Sequence, residues 1–271
     1  MAALVVLPTY NEYENVVAIV EAVLQQQDDI NVLVVDDGSP DGTGDLAEQL
    51  KLDHPGRVDV LHRTGKLGLG TAYITGFKYA LERDYSHIFE MDADFSHDPA
   101  MLPILLRAAQ TTDLVLGSRY VAGGATPDWA LLRRIISRGG SLYARTLLGL
   151  PVHDVTGGFK CFNRRVLEAL DLDGITAEGY AFQIELTYRT HQLGFSIREV
   201  PIVFMDRRVG QSKMSTRIVM EAAPMVLRLR ASRPFQPRLR AARTSSLPAA
   251  GTASIGNVVI DSSDALPPAV S

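Results

Sequence analysis

The chain has little of several things that mark particular classes of protein. It contains one cysteine, Cys161, which excludes an intramolecular disulfide and fits a reducing compartment. It has no run of about 18 apolar residues that could cross a bilayer as a helix. Its first residues lead straight into an apolar stretch, without the basic segment and cleavage site of a secretory signal. We therefore expect a cytoplasmic protein that is not integral to a membrane.

Charge is unevenly distributed along the 271 residues, although the net charge is only −4. Residues 217–243 carry seven arginines against a single acid, Glu221, so the body before them is acidic. A nucleic-acid-binding domain is usually basic on the domain itself, so we expect no nucleic-acid partner. The basic stretch suits the surface of an anionic membrane, and the alternative is a solvated arm without a partner.

The end of the chain differs in composition from the rest. Residues 231–271 are rich in Ala, Pro, Ser, Thr and Gly and show little periodicity. Such a segment buries too little apolar surface to offset the entropy lost on ordering. We predict one folded domain over residues 1–230 and a disordered tail over residues 231–271. Before the tail, Thr216–Leu229 predicts a helix interrupted at Pro224, which either lies on a membrane surface or packs on the domain.

Strands and helices alternate in the first half of the chain. Short apolar runs at Ala3–Leu7, Val32–Val35, Ile88–Met91 and Leu114–Gly117 are typical of buried strands. Amphipathic segments between and after them predict helices, at about residues 14–27, 71–81 and 129–148. This pattern predicts an α/β fold with a mostly parallel central sheet and helices on both faces. Ligands in such folds bind beyond the carboxyl ends of the strands.

The tripeptide Asp92-Ala93-Asp94 follows one of these strands directly. Residues two apart on a strand point the same way, so the two carboxylates can converge on one point. A hard divalent cation commonly combines one or two carboxylates with phosphate oxygens of a substrate. We therefore expect Asp94, with Asp92 and Ser96, to hold Mg²⁺ or Mn²⁺. The alternative is a pair of solvated loop carboxylates.

Two other polar loops also follow strands, at Pro8–Glu12 and Asp36–Asp41. Their shared placement predicts that they line one crevice with the aspartate pair. Tyr10 can stack on a base and Glu12 can accept from sugar hydroxyls, while Asp36 and Asp37 can accept from a base or ribose. A capped turn is the alternative for the segment that starts at Asp37.

Eight ordered segments carry a resemblance to a known family. They begin with PTYNE, VVDDGSPDGT, MDADFSHDP and GSR, and continue with residues 133–139, 154–159, 179–185 and 206–213. Together they resemble the GT-A glycosyltransferases of family 2, and most closely the polyprenol (dolichol) monophosphate mannose synthases. The resemblance covers roughly residues 1–230. It implies the GT-A fold and transfer of mannose from GDP-mannose to a polyprenyl phosphate, with inversion at the anomeric carbon.

The resemblance also implies roles for individual residues. It assigns the GDP-sugar pocket to Pro8, Tyr10, Glu12, Asp37 and Ala93. It assigns the clamp for the acceptor phosphate to Arg119, Arg133 and Ser137, with Arg207 and Lys213 on a lid that closes over both phosphates. A phosphate monoester is already a nucleophile at neutral pH, so cations that orient it are needed rather than a general base. The expected catalytic residues are Asp94, Arg119, Arg133 and Arg207.

Other functions remain open at this point. A different nucleotide sugar, such as UDP-glucose, would leave the chemistry the same. A non-catalytic nucleotide-sugar-binding subunit or a nucleotidyltransferase would be proteins of another class. A lipid acceptor implies peripheral contact with the cytoplasmic face of a membrane, and a membrane-anchoring protein is a further candidate partner.

Overall fold

The computed structural model describes residues 2–206 and 216–231, without the side chains of residues 216–223. The strands are β1 Ala3–Thr9, β2 Ile30–Asp36, β3 Val58–His62, β4 His87–Glu90, β5 Leu114–Ser118, β6 Lys160–Asn163 and β7 Ile197–Pro201. The helices are α1 Val16–Leu24, α2 Thr43–Asp53, α3 Leu69–Leu81, α4 Leu102–Ala109, α5 Leu131–Leu148, α6 Arg164–Ala169, α7 Gly179–Gln192 and α8 Thr216–Ala231. The α/β pattern expected from the sequence is confirmed.

The seven strands form one sheet in the order β3-β2-β1-β4-β6-β5-β7. All neighbours are parallel except β6, which is antiparallel to both β4 and β5. The carboxyl ends of β1, β2, β4 and β5 therefore share one edge, and the start of β6 lies at the same edge. This arrangement brings the loop before β6 to the polar loops that follow the parallel strands.

Both faces of the sheet are covered, which explains why its strands β1 and β2 are mostly apolar. On β1, Val5 and Leu7 pack with α1, α2 and α4, while Leu4 and Val6 pack with α3, α6 and α7. A third cluster joins α5, α7 and α8 and includes the buried Val226 and Leu229. None of the described helices is both long and apolar enough to cross a membrane.

The helix predicted over Thr216–Leu229 continues through Pro224 to Ala231 rather than being interrupted. Of its apolar residues whose side chains are described, Val226 and Leu229 are buried against α5 and α7, and Leu227 is exposed. Packing on the domain is therefore the correct alternative for these two residues. Cys161 is fully buried, and burial raises the pKa of its thiol, as befits a structural residue.

Candidate active site

A cavity of about 380 Å³ opens at the carboxyl edge of the sheet. We call it the larger cavity. Its walls come from the ends of β1, β2 and β4, from the loop before β6, and from α3 and α7. The lining residues are Pro8, Thr9, Tyr10, Glu12, Asp37, Lys66, Gly68, Leu69, Ala72, Asp92, Ala93, Asp94, Thr156, Gly158, Gly179, Tyr180 and Gln183. The crevice expected from three strand-end loops is therefore present.

Asp92 and Asp94 lie where this cavity meets a second, smaller one. Asp92 is partly exposed and accepts from the hydroxyl of Tyr73 at 3.3 Å. Asp94 is nearly buried, and its Oδ1 accepts from the backbone N–H of Ser96 at 3.0 Å. That bond closes a tight turn in which Phe95 adopts a left-handed φ of 61°, a conformation that costs a non-glycine residue energy and is typical of functional sites.

The aspartate pair suits a divalent cation held jointly by protein and substrate. Within the described part of the chain, no group of three or more His, Cys, Asp or Glu side chains converges as a complete metal cage. Two carboxylates are nevertheless what Mg²⁺ or Mn²⁺ needs from a protein when phosphate oxygens and water supply the other ligands. Ser96 lines the smaller cavity but not the larger one.

His97 supports the aspartate loop from below. Its ring is buried, stacks on Phe159 with centroids 4.9 Å apart, and accepts from the backbone N–H of Asp92 through Nδ1 at 3.1 Å. Burial lowers the pKa of this imidazole, which favours the neutral form that the bond requires. His97 therefore positions Asp92, and its Nδ1 is already occupied by that bond.

Asp36 and Asp37 turn out to face different surroundings. Asp37 lines the larger cavity, and its carboxylate is held by Arg63 at 2.7 Å and by the backbone N–H of Leu67 at 3.2 Å. The Asp36 carboxylate instead accepts from the hydroxyl groups of Thr9 and Ser39, at 3.0 and 2.6 Å. It is buried behind the lining, where it holds the loop and not a ligand. The structure thus departs from the expected contact of Asp36 with substrate.

Lys66 also lies in the larger cavity. Its Nζ is 4.3 Å from the centroid of the Tyr10 ring, and both residues belong to the lining. A cation over an aromatic ring at the mouth of a pocket is suited to phosphate or to a stacked base.

The smaller cavity has a volume of about 90 Å³. Its lining is Asp92, Asp94, Ser96, His97, Arg119, Trp129, Arg133, Thr156, Gly158, Tyr180, Phe204 and Asp206. Five of these residues also line the larger cavity: Asp92, Asp94, Thr156, Gly158 and Tyr180. The two cavities therefore meet at the aspartate pair.

Arg119 is anchored in the wall of the smaller cavity by Asp154. It donates from Nε and Nη2 to the two carboxylate oxygens at 2.7 and 2.6 Å, and from Nη2 to the hydroxyl of Thr156 at 2.9 Å. Both partners are buried. Burial opposes the charge of Asp154, but the Arg119 guanidinium outweighs it and lowers the pKa of the carboxyl group. Asp154 is thus an ionised support for Arg119.

Arg133 reaches the same cavity from α5. Its Nη1 donates to both oxygens of Asp206 at 3.1 and 3.0 Å, and its guanidinium lies 4.0 Å from the Trp129 ring centroid. Within residues 2–206 and 216–231, three buried atoms of cavity residues have no hydrogen-bond partner: Arg133 Nε, Trp129 Nε1 and Ser96 Oγ. All three can donate, and unpaired buried donors are costly. Such a set fits an anion with several acceptor oxygens.

Ser137 does not line either cavity. It lies one turn after Arg133 on α5, is buried, and accepts from the hydroxyl of Tyr120 at 2.5 Å. The structure places it behind the phosphate clamp in which it was expected. Arg207 and Lys213, expected on a lid, lie outside the described residues.

Gln183 is the polar residue that α7 contributes to the larger cavity. Its side-chain oxygen accepts from Nζ of the fully buried Lys160, which also donates to the Gln183 backbone carbonyl at 3.0 Å. Because a lysine can only donate, this contact fixes the amide oxygen toward Lys160. Glu90 lies 3.9 Å from the Lys160 Nζ. Burial raises the Glu90 pKa to about 7 and lowers that of Lys160 to about 8.

Sequence reasoning did not single out Trp129, Thr156, Gly158, Tyr180 or Phe204 as lining residues. Thr156 and Gly158 reach the site because β6 runs antiparallel, which four residues of strand cannot reveal. Trp129 carried a usable signal, since on the helix predicted over residues 129–148 it would lie one turn before Arg133. In the structure it lies just before α5.

Comparison with known proteins agrees with this geometry. The family model described as glycosyl transferase family 2 matches residues 4–171. Among solved structures, the fold is similar to glucosyl-3-phosphoglycerate synthase from Mycobacterium tuberculosis, in complex with Mn²⁺, UDP-glucose and glycerol 3-phosphate. The TM-score is 0.63 at 19% identity, with 85% of this chain and 80% of that chain covered. At this identity the likeness shows the fold, which is that of the GT-A enzymes.

Two curated proteins are much more similar in sequence. One is named polyprenol monophosphomannose synthase, from Mycolicibacterium smegmatis, and is 50% identical over 220 residues, covering 81% of this chain and 83% of that protein. The other is named undecaprenyl-phosphate mannosyltransferase, from Micrococcus luteus, and is 50% identical over 228 residues, covering 84% and 93%. With a family model over most of the folded part and two such relatives, the chain belongs to glycosyl transferase family 2.

Proposed function

We propose that this protein transfers mannose from GDP-mannose to a polyprenyl phosphate, forming a β-linked polyprenyl-phosphate mannose and GDP. The observation that carries the proposal is the meeting of two cavities at Asp92 and Asp94. The larger has the size and lining of a nucleotide-sugar pocket. The smaller is lined by Arg119 and Arg133 and suits a phosphate. The names of the two 50%-identical relatives supply the sugar and the class of acceptor.

The donor side follows from the lining of the larger cavity. Tyr10, Glu12 and Asp37 meet the nucleoside and its ribose, and Lys66 is placed for a phosphate oxygen. Asp92 and Asp94 would hold the divalent cation, which neutralises the charge that develops on the departing diphosphate. Gln183 lines the sugar side of the cavity, while its amide oxygen is held by Lys160. Pro8 and Ala93 shape the walls.

The acceptor side needs orientation rather than proton transfer. Two groups of the smaller cavity that could act as a base are already engaged: Asp206 accepts from Arg133, and Nδ1 of His97 accepts from the backbone N–H of Asp92. A phosphate monoester needs no base, because its oxygen is already anionic at neutral pH. Arg119 and Arg133, joined by the hydroxyl of Ser96 and the indole N–H of Trp129, would hold that phosphate and aim one oxygen at the anomeric carbon. Attack opposite the diphosphate inverts that carbon.

A direct assay tests the proposal. The protein is incubated with a panel of radiolabelled nucleotide sugars and a short polyprenyl phosphate, and label extracted into organic solvent is counted. We expect extraction of label only from GDP-mannose. The signal should vanish with a chelator and return with Mg²⁺ or Mn²⁺. Transfer from UDP-glucose instead of GDP-mannose would reassign the donor, and binding of GDP-mannose without transfer would indicate a non-catalytic subunit.

Peripheral contact with a membrane is part of the proposal, and α5 supports it. The buried residues of α5 are Ser137, Ser141, Ala144 and Leu148, and three of these four are small. Five of its large apolar residues are exposed: Leu131, Leu132, Ile135, Leu142 and Tyr143. We call these five residues the outward stripe. Exposed arginines, Arg134 and Arg138, lie along one flank of it.

An exposed apolar stripe with basic flanks is typical of a helix that lies in a membrane interface. Because Arg133 lies on α5 and lines the smaller cavity, docking of α5 on a membrane would place that cavity next to the lipid headgroups. Each arginine near an anionic surface contributes about 1 kcal/mol. A membrane-anchoring protein that covers the stripe is the competing partner.

Vesicle binding distinguishes these partners. The double variant Leu131→Ser/Ile135→Ser should lose sedimentation with anionic vesicles, because it removes two apolar side chains of the outward stripe. Both side chains are more than half exposed, so the fold should not depend on them. The matched control is Leu52→Ser/Ile104→Ser, which removes two exposed apolar residues from α2 and α4. If both double variants lose sedimentation to the same extent, or if neither loses it, the membrane contact does not lie on α5.

A further inference from the structure

A shallow groove of about 550 Å³ runs between α5 and α8. We call it the side groove. Its lining consists of Gly139, Leu142, Tyr143, Thr146 and Leu147 from α5 and Arg230 from α8. The walls are mainly apolar, the groove is open along its length, and its one charged residue stands on the α8 side. It is separate from the two cavities of the candidate active site, with which it shares no lining residue.

Gly139 lines this groove, and no contact within the described part of the chain requires a glycine there. A Cβ built at Gly139 would meet no atom of another part of the chain within 4 Å, and the residue has no left-handed φ. Glycine is a poor helix former, and α5 is an 18-residue helix in which Gly139 is central. Because Gly139 has no side chain and free space around it, the groove is deeper at this point than it would be with any other residue.

The side groove and the acceptor side of the candidate active site lie along the same helix, α5. Residues three or four apart on a helix are surface neighbours, so Arg133, Ile136, Gly139 and Tyr143 form one path along α5. Gly139 lies about 9 Å along the helix axis from Arg133. Ile136, half-buried between them, continues the apolar surface. A ligand with its phosphate at Arg133 and an extended hydrocarbon chain would enter the groove as it leaves the cavity.

We infer that the side groove holds the isoprene units that follow the first one in the acceptor's hydrocarbon chain. This inference rests on the proposed function, which supplies a polyprenyl phosphate at Arg133. A flexible apolar chain needs a smooth apolar channel rather than specific polar contacts, and the absence of a side chain at Gly139 gives it depth. Because each additional buried CH₂ adds affinity, the groove makes binding depend on the length of the chain.

The test fills the groove and compares acceptors of two lengths. Gly139→Leu places a large side chain in the groove at a position where an added Cβ meets no other part of the fold. Gly139→Ala is its partner variant, which improves the helix in the same way but adds only one methyl group. KM is measured in detergent for a polyprenyl phosphate of many isoprene units and for one with a single unit. We expect Gly139→Leu to raise the ratio of the long-chain to the short-chain KM about tenfold, the effect of losing roughly two buried CH₂ groups. Gly139→Ala should change the ratio less.

Other outcomes would overturn the inference. An unchanged ratio in Gly139→Leu, or an equal rise of KM for both acceptors, excludes the groove as the site of the chain. Light scattering adds a second check: a dimer that Gly139→Leu converts to a monomer would assign the groove to a second copy of this chain. If the wild-type protein transfers mannose to neither acceptor, the proposed function itself fails, and the inference fails with it.

Discussion

Asp154 holds the guanidinium of Arg119 through two parallel hydrogen bonds of 2.7 and 2.6 Å, with both residues buried. A carboxylate beside an acceptor site can act as a general base or as a support for a neighbouring cation, and this contact favours the second role for Asp154. A carboxylate locked to a buried arginine cannot also remove a proton from an acceptor, because protonation would leave the arginine unpaired. Asp154 is thus a positioning residue.

We predict that Asp154→Ala lowers the free energy of unfolding by about 3–5 kcal/mol, because it leaves a charge buried without a partner. The double variant Arg119→Met/Asp154→Leu replaces the pair with apolar side chains of similar size. It should recover most of the stability and none of the transfer activity. Urea unfolding with activity assays checks both. Recovery of activity in the double variant would remove Arg119 from the acceptor clamp.

Asp94→Asn should abolish transfer while the fold stays intact, because it removes the less exposed of the two carboxylates proposed to hold the cation. The matched control is Asp98→Asn. Asp98 caps the helical turn that begins at Pro99, and asparagine caps equally well. Turnover with saturating donor and metal is the measurement. Near-normal turnover in Asp94→Asn would contradict the metal assignment.

Arg133→Ala should raise the KM for polyprenyl phosphate by at least about tenfold, the effect of losing one hydrogen bond to a charged group. The KM for GDP-mannose should change little, because Arg133 lines only the smaller cavity. Arg107→Ala, which removes an exposed arginine from α4, is the control. Equal effects on both substrates would place Arg133 outside the acceptor clamp.

His87 makes stability depend on pH. Burial lowers the pKa of its imidazole, whereas an unfolded histidine titrates near about 6.5. Below that pH the unfolded chain binds more protons than the folded one, so the free energy of unfolding falls as pH decreases. His87→Phe should lose less stability than the wild type between pH 7.5 and 5.5, as followed by urea midpoints. An identical pH dependence in both proteins would show that His87 does not contribute.

The sequence predicts those parts of the site whose position follows from the direction of the strands. It does not predict those that depend on where an individual side chain points. Strand ends place Tyr10, Glu12, Asp37 and the aspartate pair together, because parallel strands end at one edge. Asp36 and Asp37 are adjacent and chemically identical, and only the packed loop shows that Asp36 turns to Thr9 and Ser39.

The same limit applies to α5. Its apolar residues fall on two faces, so periodicity predicts a helix but not which face packs inward. Ser137, Ser141 and Ala144 are buried together with Leu148, and the cluster that Ala144 and Leu148 join includes residues of α7 and α8. Five other large apolar residues of α5 are exposed. Ser137 is another case, since the resemblance assigns it to the acceptor clamp, whereas in the structure its hydroxyl accepts from Tyr120 and it lines neither cavity.

The smaller cavity joins parts of the chain that lie far apart, from Asp92 after β4 to Asp206 after β7. Contacts between such distant residues form late, since long loops must close first. A chain emerging from the ribosome presents its N-terminal segments first. The two aspartates therefore emerge well before the arginines of α5 and the segment that follows β7. Translation arrested before β7 should leave a product that contains both aspartates and both arginines of the smaller cavity but lacks Phe204 and Asp206, so that Arg133 has lost the carboxylate that holds it.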